Sequence, residues 1–551
     1  MGRSKVKIEV QEQWGARKAR TKANSRILGR VGQRMKKKSV VMLATIMSLS
    51  FVVGACSKES SVATPSAAST AASSSASSAP KAQTFKFLDY SNPSWPYDAN
   101  WKVWGYLTEK TGVKLDIQLP PGNLLEDALS MTVASGDMPD LMWTQTKAIA
   151  DKFGQQGALV NILDYVKDMP NLKAWMEKYP TEAQNVLSSD GKMYVFPNQG
   201  LGESNRRTWM YREDVFKKLG LAAPTNWDEL YETLKKLKAA YPDSYPLTFR
   251  NGLRYMYDFG AGFNVPAEVE KRKASVFFDS ASKDWKYAPI QNEYKTLLTY
   301  MNKFYKESLI PKDFLTIDTK MWQDIVSTNR AFVTLDYMGR IDFYNSALRK
   351  DNPQFTMNYM APPAGWTGGP RKTAFTAVTE EGFMVSSKSK QIKEVMKYLD
   401  FFYSEEGKKL VSWGKEGDTA NGNAFATKYA DIADLRKKTG LSTDGAYTWF
   451  DFNAHISVSS PELQAAYKEA PKYDGEKNST LAFTLEEQQV LDTKGDSLNA
   501  NRDENFSKFI MGTRNFSEWD KFIEEQKKLG YEEIVNIYRN ADKRAKAAVK
   551  K

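Results

Sequence analysis

Residues 85–119, FKFLDYSNPSWPYDANWKVWGYLTEKTGVKLDIQL, set the rhythm of strands and helices in this chain. Residues 85–88 form a short strand-like run, residues 101–110 have helical apolar spacing, and residues 113–119 alternate again. A further helical pattern covers residues 124–134. Strands that alternate with helices are typical of α/β domains. The sequence therefore predicts an α/β fold.

Later segments are mainly helical by the same criteria. Leu230, Leu234 and Leu237 share one helical face, and Thr225 and Asp228 have capping-box spacing ahead of them. Two further helices are predicted from apolar spacing: one carries Ile392, Val395, Met396, Leu399 and Phe402, and one, capped by Ser517 and Asp520, carries Trp519, Phe522, Ile523 and Leu529. The C-terminal part is therefore expected to be largely helical.

The only cysteine of the chain, Cys56, stands where an apolar run ends. Lys36, Lys37 and Lys38 precede the apolar residues 39–53, and two small residues follow just before Cys56. This arrangement is typical of a secretory signal. A transmembrane helix is the alternative, but the run 39–55 has only 17 residues, four of them Ser or Thr, and a polar tract follows. The segment resembles the lipobox of bacterial lipoproteins, in which the cysteine sulfur is lipidated and the signal is removed, so Cys56 is the predicted lipidation site.

The N-terminal segments are interpreted from this cysteine. Residues 1–34 are an unusual prefix for a signal and are expected to lie upstream of the true start, with the signal at 35–55. Residues 56–84 comprise the lipidated cysteine and a flexible Ser/Ala-rich tether, whose 26 residues from 57 to 82 have a mean reach of roughly 28 Å. The remaining 467 residues are enough for two or three compact units.

The net charge of +12 does not indicate a nucleic-acid partner. Residues 1–55 carry thirteen Lys and Arg against two Glu, so the chain from Cys56 onward has a net charge of only +1. No binding of nucleic acid is therefore expected.

Four segments together resemble one family, the extracellular solute-binding lipoproteins of ABC importers, in its LipO-like, carbohydrate-binding branch. They are residues 134–141 (ASGDMPDL), 206–229 (RTWMYREDVFKKLGLAAPTNWDEL), 381–418 and 508–544. The resemblance implies a two-lobed, periplasmic-binding-protein-like fold of type 2, with ligand held in a cleft between the lobes. The chain is expected to cross between lobes near 197–207 and again near 371–385.

The lobe boundaries expected from this resemblance divide the chain twice. The N-terminal lobe would comprise residues 85–203 and 372–430, and the C-terminal lobe residues 204–371 and 431–551.

The resemblance also directs attention to residues that follow strands, because α/β sheets bind ligands at the carboxyl ends of their strands. Aromatic rings pack against the C–H face of a sugar, and short polar side chains bond its hydroxyls. The candidate ligand-binding residues are Trp95, Tyr97, Trp143, Gln199, Trp322, Asp336, Arg340, Trp366 and Trp413. Core packing is the alternative for each tryptophan, and a surface ion pair is the alternative for Asp336 and Arg340.

Metal and catalytic chemistry have little support in the sequence. Asp279 and Asp284 have oxygens spaced for Ca²⁺, but the segment lacks the glycine and the bidentate glutamate of a standard calcium loop, and a hairpin turn is the alternative. His455 is the only histidine and is expected to be a satisfied or exposed side chain, since a zinc site with several histidine ligands cannot form. No catalytic residue and no cofactor is predicted, apart from this weak calcium candidate.

The predicted function is capture of an oligosaccharide by a membrane-anchored extracellular protein, which delivers it to the permease subunits of an ABC importer. The protein is expected to be a monomer on the outer face of the cell membrane of a Gram-positive bacterium, held by its lipid alone. A sensory or adhesive glycan-binding lipoprotein is the alternative. A secreted glycoside hydrolase also stays open, because it needs only two carboxylates.

Overall fold

The computed structural model describes residues 83–266, 275–374, 378–379, 381–475 and 480–549. These residues belong to one compact unit, Ser78–Lys551. The predicted signal, Cys56 and nearly all of the tether lie outside the described residues.

Twelve strands are formed by the described residues: β1 Gln83–Leu88, β2 Val113–Gln118, β3 Leu141–Thr144, β4 Asn198–Gln199, β5 Arg207–Arg212, β6 Leu247–Thr248, β7 Val276–Asp279, β8 Asp284–Tyr287, β9 Val333–Tyr337, β10 Met357–Met360, β11 Val378–Thr379 and β12 Gly382–Val385. They build two four-stranded sheets, in the orders β12-β3-β1-β2 and β10-β5-β9-β6, and two pairs, β11-β4 and β7-β8. Both large sheets are mixed: β1 is parallel to β2 and β3, and β6 to β9, whereas β12, β5 and β10 pair in the antiparallel sense.

The α-helices surround these sheets: α1 Lys102–Thr111, α2 Leu125–Ser135, α3 Lys147–Gln155, α4 Pro170–Lys178, α5 Pro180–Asn185, α6 Glu213–Leu219, α7 Trp227–Ala240, α8 Leu253–Met256, α9 Asn292–Lys306, α10 Thr319–Ser327, α11 Arg340–Leu348, α12 Ile392–Phe401, α13 Glu405–Trp413, α14 Ile432–Thr439, α15 Phe452–Ser457, α16 Pro461–Glu469, α17 Leu485–Met511, α18 Trp519–Lys528 and α19 Tyr531–Val549. The predicted α/β pattern and the helical C-terminal part are both confirmed.

The predicted helices form, although their caps differ in detail. Helix α7 carries the three predicted leucines, but its cap is Asn226, whose side chain accepts a hydrogen bond from the backbone N–H of Glu229. The Glu229 carboxylate in turn accepts bonds from Thr225. Before α18, Asn515 rather than Ser517 supplies the capping oxygen, for a short 3-10 turn that leads into the helix. The capping residue is thus shifted from the predicted one, because neighbouring polar side chains compete for the same N–H groups.

Two lobes arise because the buried apolar residues separate into cores around the two sheets. The core of the first lobe contains buried residues from Phe85 to Leu201 and again from Phe383 to Ala454. The second lobe has its largest cores around the second sheet, with buried residues from Trp209 to Met360 and from Leu463 to Phe522. A further core joins the β7-β8 hairpin to α17 and α19. The two-lobed α/β fold is confirmed.

The chain changes lobes beside a two-stranded ribbon, in which β4 and β11 run antiparallel. A third segment lies against the same ribbon: the backbone N–H of Gln199 bonds the carbonyl of Thr448, and the N–H of Phe450 bonds the carbonyl of Gln199. The buried side chains change core after this third segment: Ala454 belongs to the core of the first lobe and Leu463 to that of the second.

This packing moves one expected boundary. Residues 431–454 were expected in the C-terminal lobe, but Leu435, Leu441, Tyr447 and Trp449 are buried in the core of the first. We therefore propose that the last change of lobe lies after Ala454 rather than at residue 430, and we keep the other expected boundaries as proposals. The physical reason is that the apolar faces of α14 and the following loop are needed to cover α1 and the first sheet.

Candidate ligand-binding site

In each large sheet, one edge adjoins the crossing ribbon. In the first sheet, β1 and β3 end where antiparallel β12 begins at Gly382, directly after the crossing strand β11. In the second sheet, β6 and β9 end where β5 begins at Arg207, shortly after the crossing strand β4. Ligands of α/β proteins bind beyond the carboxyl ends of strands. We therefore expect these two ends to face the cleft between the lobes, and they are named the first wall and the second wall.

The first wall is an aromatic pocket beyond the end of β1. Its lining residues are Asp89, Tyr90, Asn92, Trp95, Tyr97, Trp101, Trp104, Thr443 and Asp444. The rings of Tyr97, Trp101 and Trp104 have centroids 5.8–6.3 Å apart, so they form one cluster. Trp95 is half-buried, and the Arg436 guanidinium carbon lies 4.1 Å from the centroid of its ring.

Two carboxylates lie in the first wall next to Tyr90. The Tyr90 hydroxyl donates a hydrogen bond to the Asp444 carboxylate, and the Tyr90 backbone N–H donates to Oδ1 of Asp89 at 2.8 Å. Burial raises the pKa of both carboxyl groups above their usual value, although Arg436 acts in the opposite direction on Asp444. Within the described residues, Asp89 forms no salt bridge.

The loop that brings Asp444 depends on a close backbone approach. Gly445 follows with φ of +75°, and a Cβ atom at this position would lie 2.4 Å from Oδ2 of Asp89. Only glycine accommodates both the positive φ and the contact. The polar side of the first wall is therefore built from two segments that are far apart in the sequence.

The second wall is a set of arginines, tyrosines and carboxylates at the edge of the second sheet: Arg207, Arg250, Tyr255, Asp258, Asp336, Tyr337 and Arg340. At its centre, the fully buried Asp336 accepts two hydrogen bonds from Arg250, Nε to Oδ2 at 2.6 Å and Nη2 to Oδ1 at 3.0 Å. Nη1 of Arg250 donates to Thr319 at 2.7 Å, and Nε of Arg340 reaches Oδ1 of Asp336 at 3.3 Å. This bidentate pair fixes the orientation of Arg250.

Arg207 forms the other half of the second wall. Its Nε and Nη2 atoms each lie 2.9 Å from an oxygen of Asp258. Its guanidinium carbon lies 5.1 Å from the ring centroid of Tyr255 and 6.0 Å from that of Tyr337. Arg250 lies on the same two rings, at 4.8 and 5.6 Å, so cations and aromatic rings alternate along this wall. Asp258 raises the pKa of Arg207, which stays charged.

Three predicted tryptophans lie in the core instead of facing the cleft. Trp143 is buried against Phe383 and Tyr447, because β12 pairs with β3 and covers it. Trp413 is buried, and its Nε1 donates to Asp451 at 2.9 Å. These two rings have no free face for a sugar, which corrects the expectation that they stack on the ligand.

Trp322 is also buried, but it supports the second wall from behind. Its Nε1 donates to Thr334 at 3.0 Å, and the guanidinium carbons of Arg250 and Arg340 lie 5.5 and 5.6 Å from its ring centroid. Asp336 is likewise inaccessible. The structure therefore gives both residues a positioning role in place of the expected ligand contact.

Four of the five other predicted residues reach a wall or the crossing, and one does not. Trp95 and Tyr97 line the first wall, Arg340 belongs to the second, and Gln199 lies in the crossing strand β4, where its Oε1 accepts a bond from Trp175. Trp366 is 43% exposed in the turn after β10 and is not joined to either wall by the described contacts. The contact roles of these five residues stay predictions.

Sequence reasoning missed several members of both walls. Arg250 follows β6, which has only two residues and gives almost no strand signal. Arg436 in α14 and Asp444 in the loop after that helix reach the first wall from more than 300 positions beyond β1, and no sequence pattern connects them to it. Arg207 lies at the end of the expected crossing, residues 197–207, and this position is the signal that could have identified it.

The calcium candidate forms the predicted hairpin turn. Asp279 and Asp284 face each other across β7 and β8, Asp279 pairs with Lys286, and Asp284 accepts two bonds from Arg539. The hydrogen bond from Lys286 is the main cause that lowers the pKa of Asp279 to about 2. Among the described residues, no group of three or more His, Cys, Asp or Glu side chains is placed to hold a metal ion.

His455, expected to be satisfied or exposed, is buried. Its ring stacks on Phe452 and meets the ring of Tyr467 edge-on. Burial lowers its pKa to about 3, so this imidazole is neutral at physiological pH. Its Nδ1 has no hydrogen-bond partner among the described residues.

The chain belongs to the family of bacterial extracellular solute-binding proteins, which matches residues 71–409. Its role is capture of a solute for an ABC importer. Within the described part of the chain, no helix is both long and apolar enough to cross a bilayer.

Three curated relatives illustrate this membership. The polygalacturonan/rhamnogalacturonan-binding protein YtcQ of Bacillus subtilis is 25% identical over 79% of this chain and 87% of its own length. Lipoprotein LipO of the same species is 27% identical over 56% of this chain and 62% of its own length. The fructooligosaccharide ABC transporter substrate-binding protein FusA of Streptococcus pneumoniae is 23% identical over 73% of this chain and 77% of its own length.

Solved structures show the same fold. Alginate-binding protein AlgQ2 without calcium ion has a TM-score of 0.70 and 23% identity, covering 84% of this chain and 98% of that one. A solute-binding protein associated with an HMO-binding ABC transporter of Bifidobacterium longum infantis has a TM-score of 0.67 and 20% identity, covering 84% and 98%. FusA of S. pneumoniae in complex with kestose has a TM-score of 0.68 and 18% identity, covering 85% and 100%.

Proposed function

We propose that this protein is a membrane-anchored extracellular receptor that captures an oligosaccharide in the interlobe cleft and delivers it to the permease subunits of an ABC importer. The observation that carries the proposal is the first wall, where Trp95, Tyr97 and Trp104 are partly accessible beside the polar groups of Asp89 and Asp444.

This combination suits a sugar better than an amino acid or a bare ion. A pyranose ring offers a C–H face that packs on a flat aromatic ring, and hydroxyls that both donate and accept hydrogen bonds. The carboxylates of Asp89 and Asp444 accept such bonds, and the hydroxyl oxygen of Thr443, whose O–H donates to the carbonyl of Gly440 at 2.6 Å, is a further acceptor. A primary ammonium ligand would gain from the two acids, but it would leave the aromatic surface without a partner.

The names of the relatives support the same substrate class. YtcQ is named for polygalacturonan and rhamnogalacturonan, FusA for fructooligosaccharide, and the AlgQ2 structure for alginate. These sugars differ in ring type and charge, so the shared property is an oligomeric carbohydrate.

Binding is tested on the chain from residue 57 onward by a glycan array, followed by titration calorimetry with the sugar that the array identifies. Trp95→Ala removes a stacking surface, and an aromatic contact contributes about 0.5–1.5 kcal/mol beyond its buried area, so affinity is expected to fall at least several-fold. Tyr231→Ala, on the outer helix α7, is the matched control and is expected to retain wild-type affinity. Tight binding of peptides and of no glycan would refute the proposal.

The ligand is proposed to shift an equilibrium between open and closed lobes, because it contacts both walls only when the cleft is closed. The radius of gyration from small-angle scattering is therefore expected to decrease when the identified sugar is added. An unchanged radius at saturation would indicate a rigid receptor. The same profile reports the molecular mass and tests the proposed monomer.

The lipid anchor at Cys56 is proposed from the sequence and from the likeness to lipoprotein LipO. Acyl chains contribute about 0.8 kcal/mol per buried CH₂, so two or three chains hold a protein at the outer face of the membrane. Cys56→Ala is expected to release the protein into the aqueous phase of a detergent partition or to leave it unprocessed. Wild-type partitioning of this variant would exclude the anchor.

We also propose that the protein is not an enzyme. The first wall holds acidic groups, but the family captures solutes, and a receptor returns its ligand unchanged. Chromatography of the bound oligosaccharide after prolonged incubation is expected to show its original length. A shortened product would instead identify a glycoside hydrolase. Adjacent permease genes would distinguish transport from a sensory or adhesive role.

A further inference from the structure

The two walls of the cleft carry opposite charge. On the second wall, Arg207, Arg250 and Arg340 face only two carboxylates, Asp258 and Asp336. On the first wall, Asp89 and Asp444 both act electrostatically on Tyr90, and Arg436 is the cation beside them. A ligand that bridges the walls therefore meets a cationic surface at one end and an acidic surface at the other.

Arg340 has unused hydrogen-bond donors on this surface. Its side chain is 22% exposed, and only Nε is engaged, in the 3.3 Å contact with Asp336. Neither Nη atom of Arg340 donates to another group in the described part of the chain. Arg207 is 29% exposed, and its Nε and Nη2 are both held by Asp258, so only its Nη1 lies outside this pair. Arg250, in contrast, is almost fully buried and uses Nε, Nη1 and Nη2 on Asp336 and Thr319.

The buried carboxylates hold these guanidinium groups in fixed orientations. Asp336 binds the inner edge of Arg250 and contacts Nε of Arg340, and Trp322 packs behind both. The outer Nη edge of Arg340 is thus directed away from its partner. A planar guanidinium with one free edge suits a planar carboxylate, which accepts two parallel hydrogen bonds from it.

We propose that the ligand carries a carboxylate on the sugar unit that contacts the second wall, and neutral sugar on the part that occupies the first. This inference rests on the proposed capture of an oligosaccharide and adds the charge and the direction of the bound chain. Arg340 and Arg207 bind the acidic sugar, and Asp336 and Asp258 are positioning residues for them.

The charge of the first wall explains why the carboxylate of the ligand belongs at the second wall only. Asp89 is buried there and Asp444 is partly buried beside Tyr90, so a second ligand carboxylate would add a like charge in a poorly solvated site. Neutral hydroxyls, in contrast, donate to these oxygens. The ligand is therefore an oligosaccharide with an acidic and a neutral part, not a chain of uronic acids throughout.

The test uses matched pairs of oligosaccharides, each a uronic-acid-containing form and its counterpart with every carboxyl group reduced to a primary alcohol. The pair has the same ring stereochemistry and differs only in the charged group. Wild-type protein is expected to bind the acidic form about tenfold or more tightly than the reduced form, as charge-assisted hydrogen bonds require. Added NaCl is expected to weaken the binding of the acidic form only.

Arg340→Gln is expected to remove most of this preference, so that the affinities of the variant for the acidic and the reduced form differ little. Arg330→Gln is the matched control, because it removes one exposed arginine of the same lobe at the turn before β9, at the opposite end of that strand. It is expected to keep the full preference. Arg340→Lys keeps the charge without the planar fork and is expected to lie between the two. Melting curves of all variants check that they are folded.

The outcomes separate this inference from the proposed function. If the reduced form binds as tightly as the acidic form, or if Arg340→Gln keeps the full preference, the carboxylate site is refuted and oligosaccharide capture stands. If sulfated sugars bind more tightly than carboxylated ones, the carboxylate assignment is refuted. If neither form of any oligosaccharide binds, the proposed function itself fails.

Discussion

The two walls of the cleft each place a buried aspartate at the edge of a sheet, but they provide it with opposite surroundings. On the second wall, Asp336 accepts a bidentate pair from Arg250 and a further contact from Arg340. On the first wall, Asp89 accepts a backbone N–H from Tyr90 and has another acid, Asp444, nearby. The same residue type therefore anchors cations on one wall and provides hydrogen-bond acceptors on the other.

This difference shows that burial alone does not determine what a carboxylate does. The groups around a buried carboxylate determine its role. Guanidinium groups pair with Asp336, whereas Asp89 accepts a backbone N–H, and burial raises the pKa of Asp89. The stability of the second wall should depend on its ion pair, and that of the first wall on its apolar packing.

The largest effect is expected from Trp143, the buried ring behind the first wall. Trp143→Ala leaves a cavity against Phe383 and Tyr447 and is expected to lower the free energy of unfolding by about 3–5 kcal/mol. Urea denaturation followed by circular dichroism measures this loss. Trp95→Ala is the control and should cost less than about 1 kcal/mol, because its ring is only half-buried. Equal losses would show that Trp95 belongs to the core.

A loss of about 3 kcal/mol is expected for Asp336→Asn, because the change leaves the nearly buried guanidinium of Arg250 without its charged partner. The same denaturation assay on Asp89→Asn provides the comparison. That variant keeps an acceptor for the Tyr90 N–H and removes only a poorly solvated charge, so its unfolding free energy should stay within about 1 kcal/mol of wild type. Similar losses at both positions would contradict the contrast between the walls.

The carboxyl group of Asp89 should make the free energy of unfolding depend on pH. Its folded-state pKa is raised by burial, so the contribution of this carboxyl is fully present below its unfolded pKa near 4 and is lost as the pH rises through the higher folded value. Relative to Asp89→Asn, wild type should therefore lose stability as the pH increases from about 4. Unfolding free energies of both proteins between acidic and neutral pH measure the difference. If the difference in unfolding free energy between the two proteins did not change with pH, the carboxyl of Asp89 would not be desolvated.

The smallest effect is expected at the β7-β8 hairpin, outside both walls. Asp279→Asn removes a partly exposed pair with Lys286 and should cost about 0.2–1 kcal/mol. If Ca²⁺ raises the melting temperature of the wild type, the same rise is expected in this variant, because the Asp279 and Asp284 carboxylates are already paired with Lys286 and Arg539. Loss of the rise in Asp279→Asn would place an ion at the hairpin.

Local patterns predicted the secondary structure well because they depend on neighbours in the sequence. The alternation at 113–119 became β2, and the leucine spacing after Thr225 became α7. Gly136, in the segment 134–141, ends α2 with a φ of +74°. Fold class and helix positions could thus be read from spacing, glycine and capping residues.

The walls depend on contacts between distant segments, and this is why they were only partly predictable. Trp143 lies inside β3 rather than beyond its end, and β12, from about 240 positions further on, pairs with that strand and covers its ring. Arg436 and Asp444 complete the first wall from an even greater separation. The position of a residue after a strand identified the edge of the sheet, whereas its accessibility depended on partners that only the tertiary structure supplies.

The interleaved course of the chain also affects the order of folding. The first lobe needs β12 to complete its sheet and residues up to Ala454 to complete its core, although its first strand begins at Gln83. Pairings of such long sequence separation carry a large loop-closure entropy and slow the formation of the native state. The first lobe therefore cannot complete its core until the segments up to Ala454 have been synthesised, and its early strands lack their native partners until then.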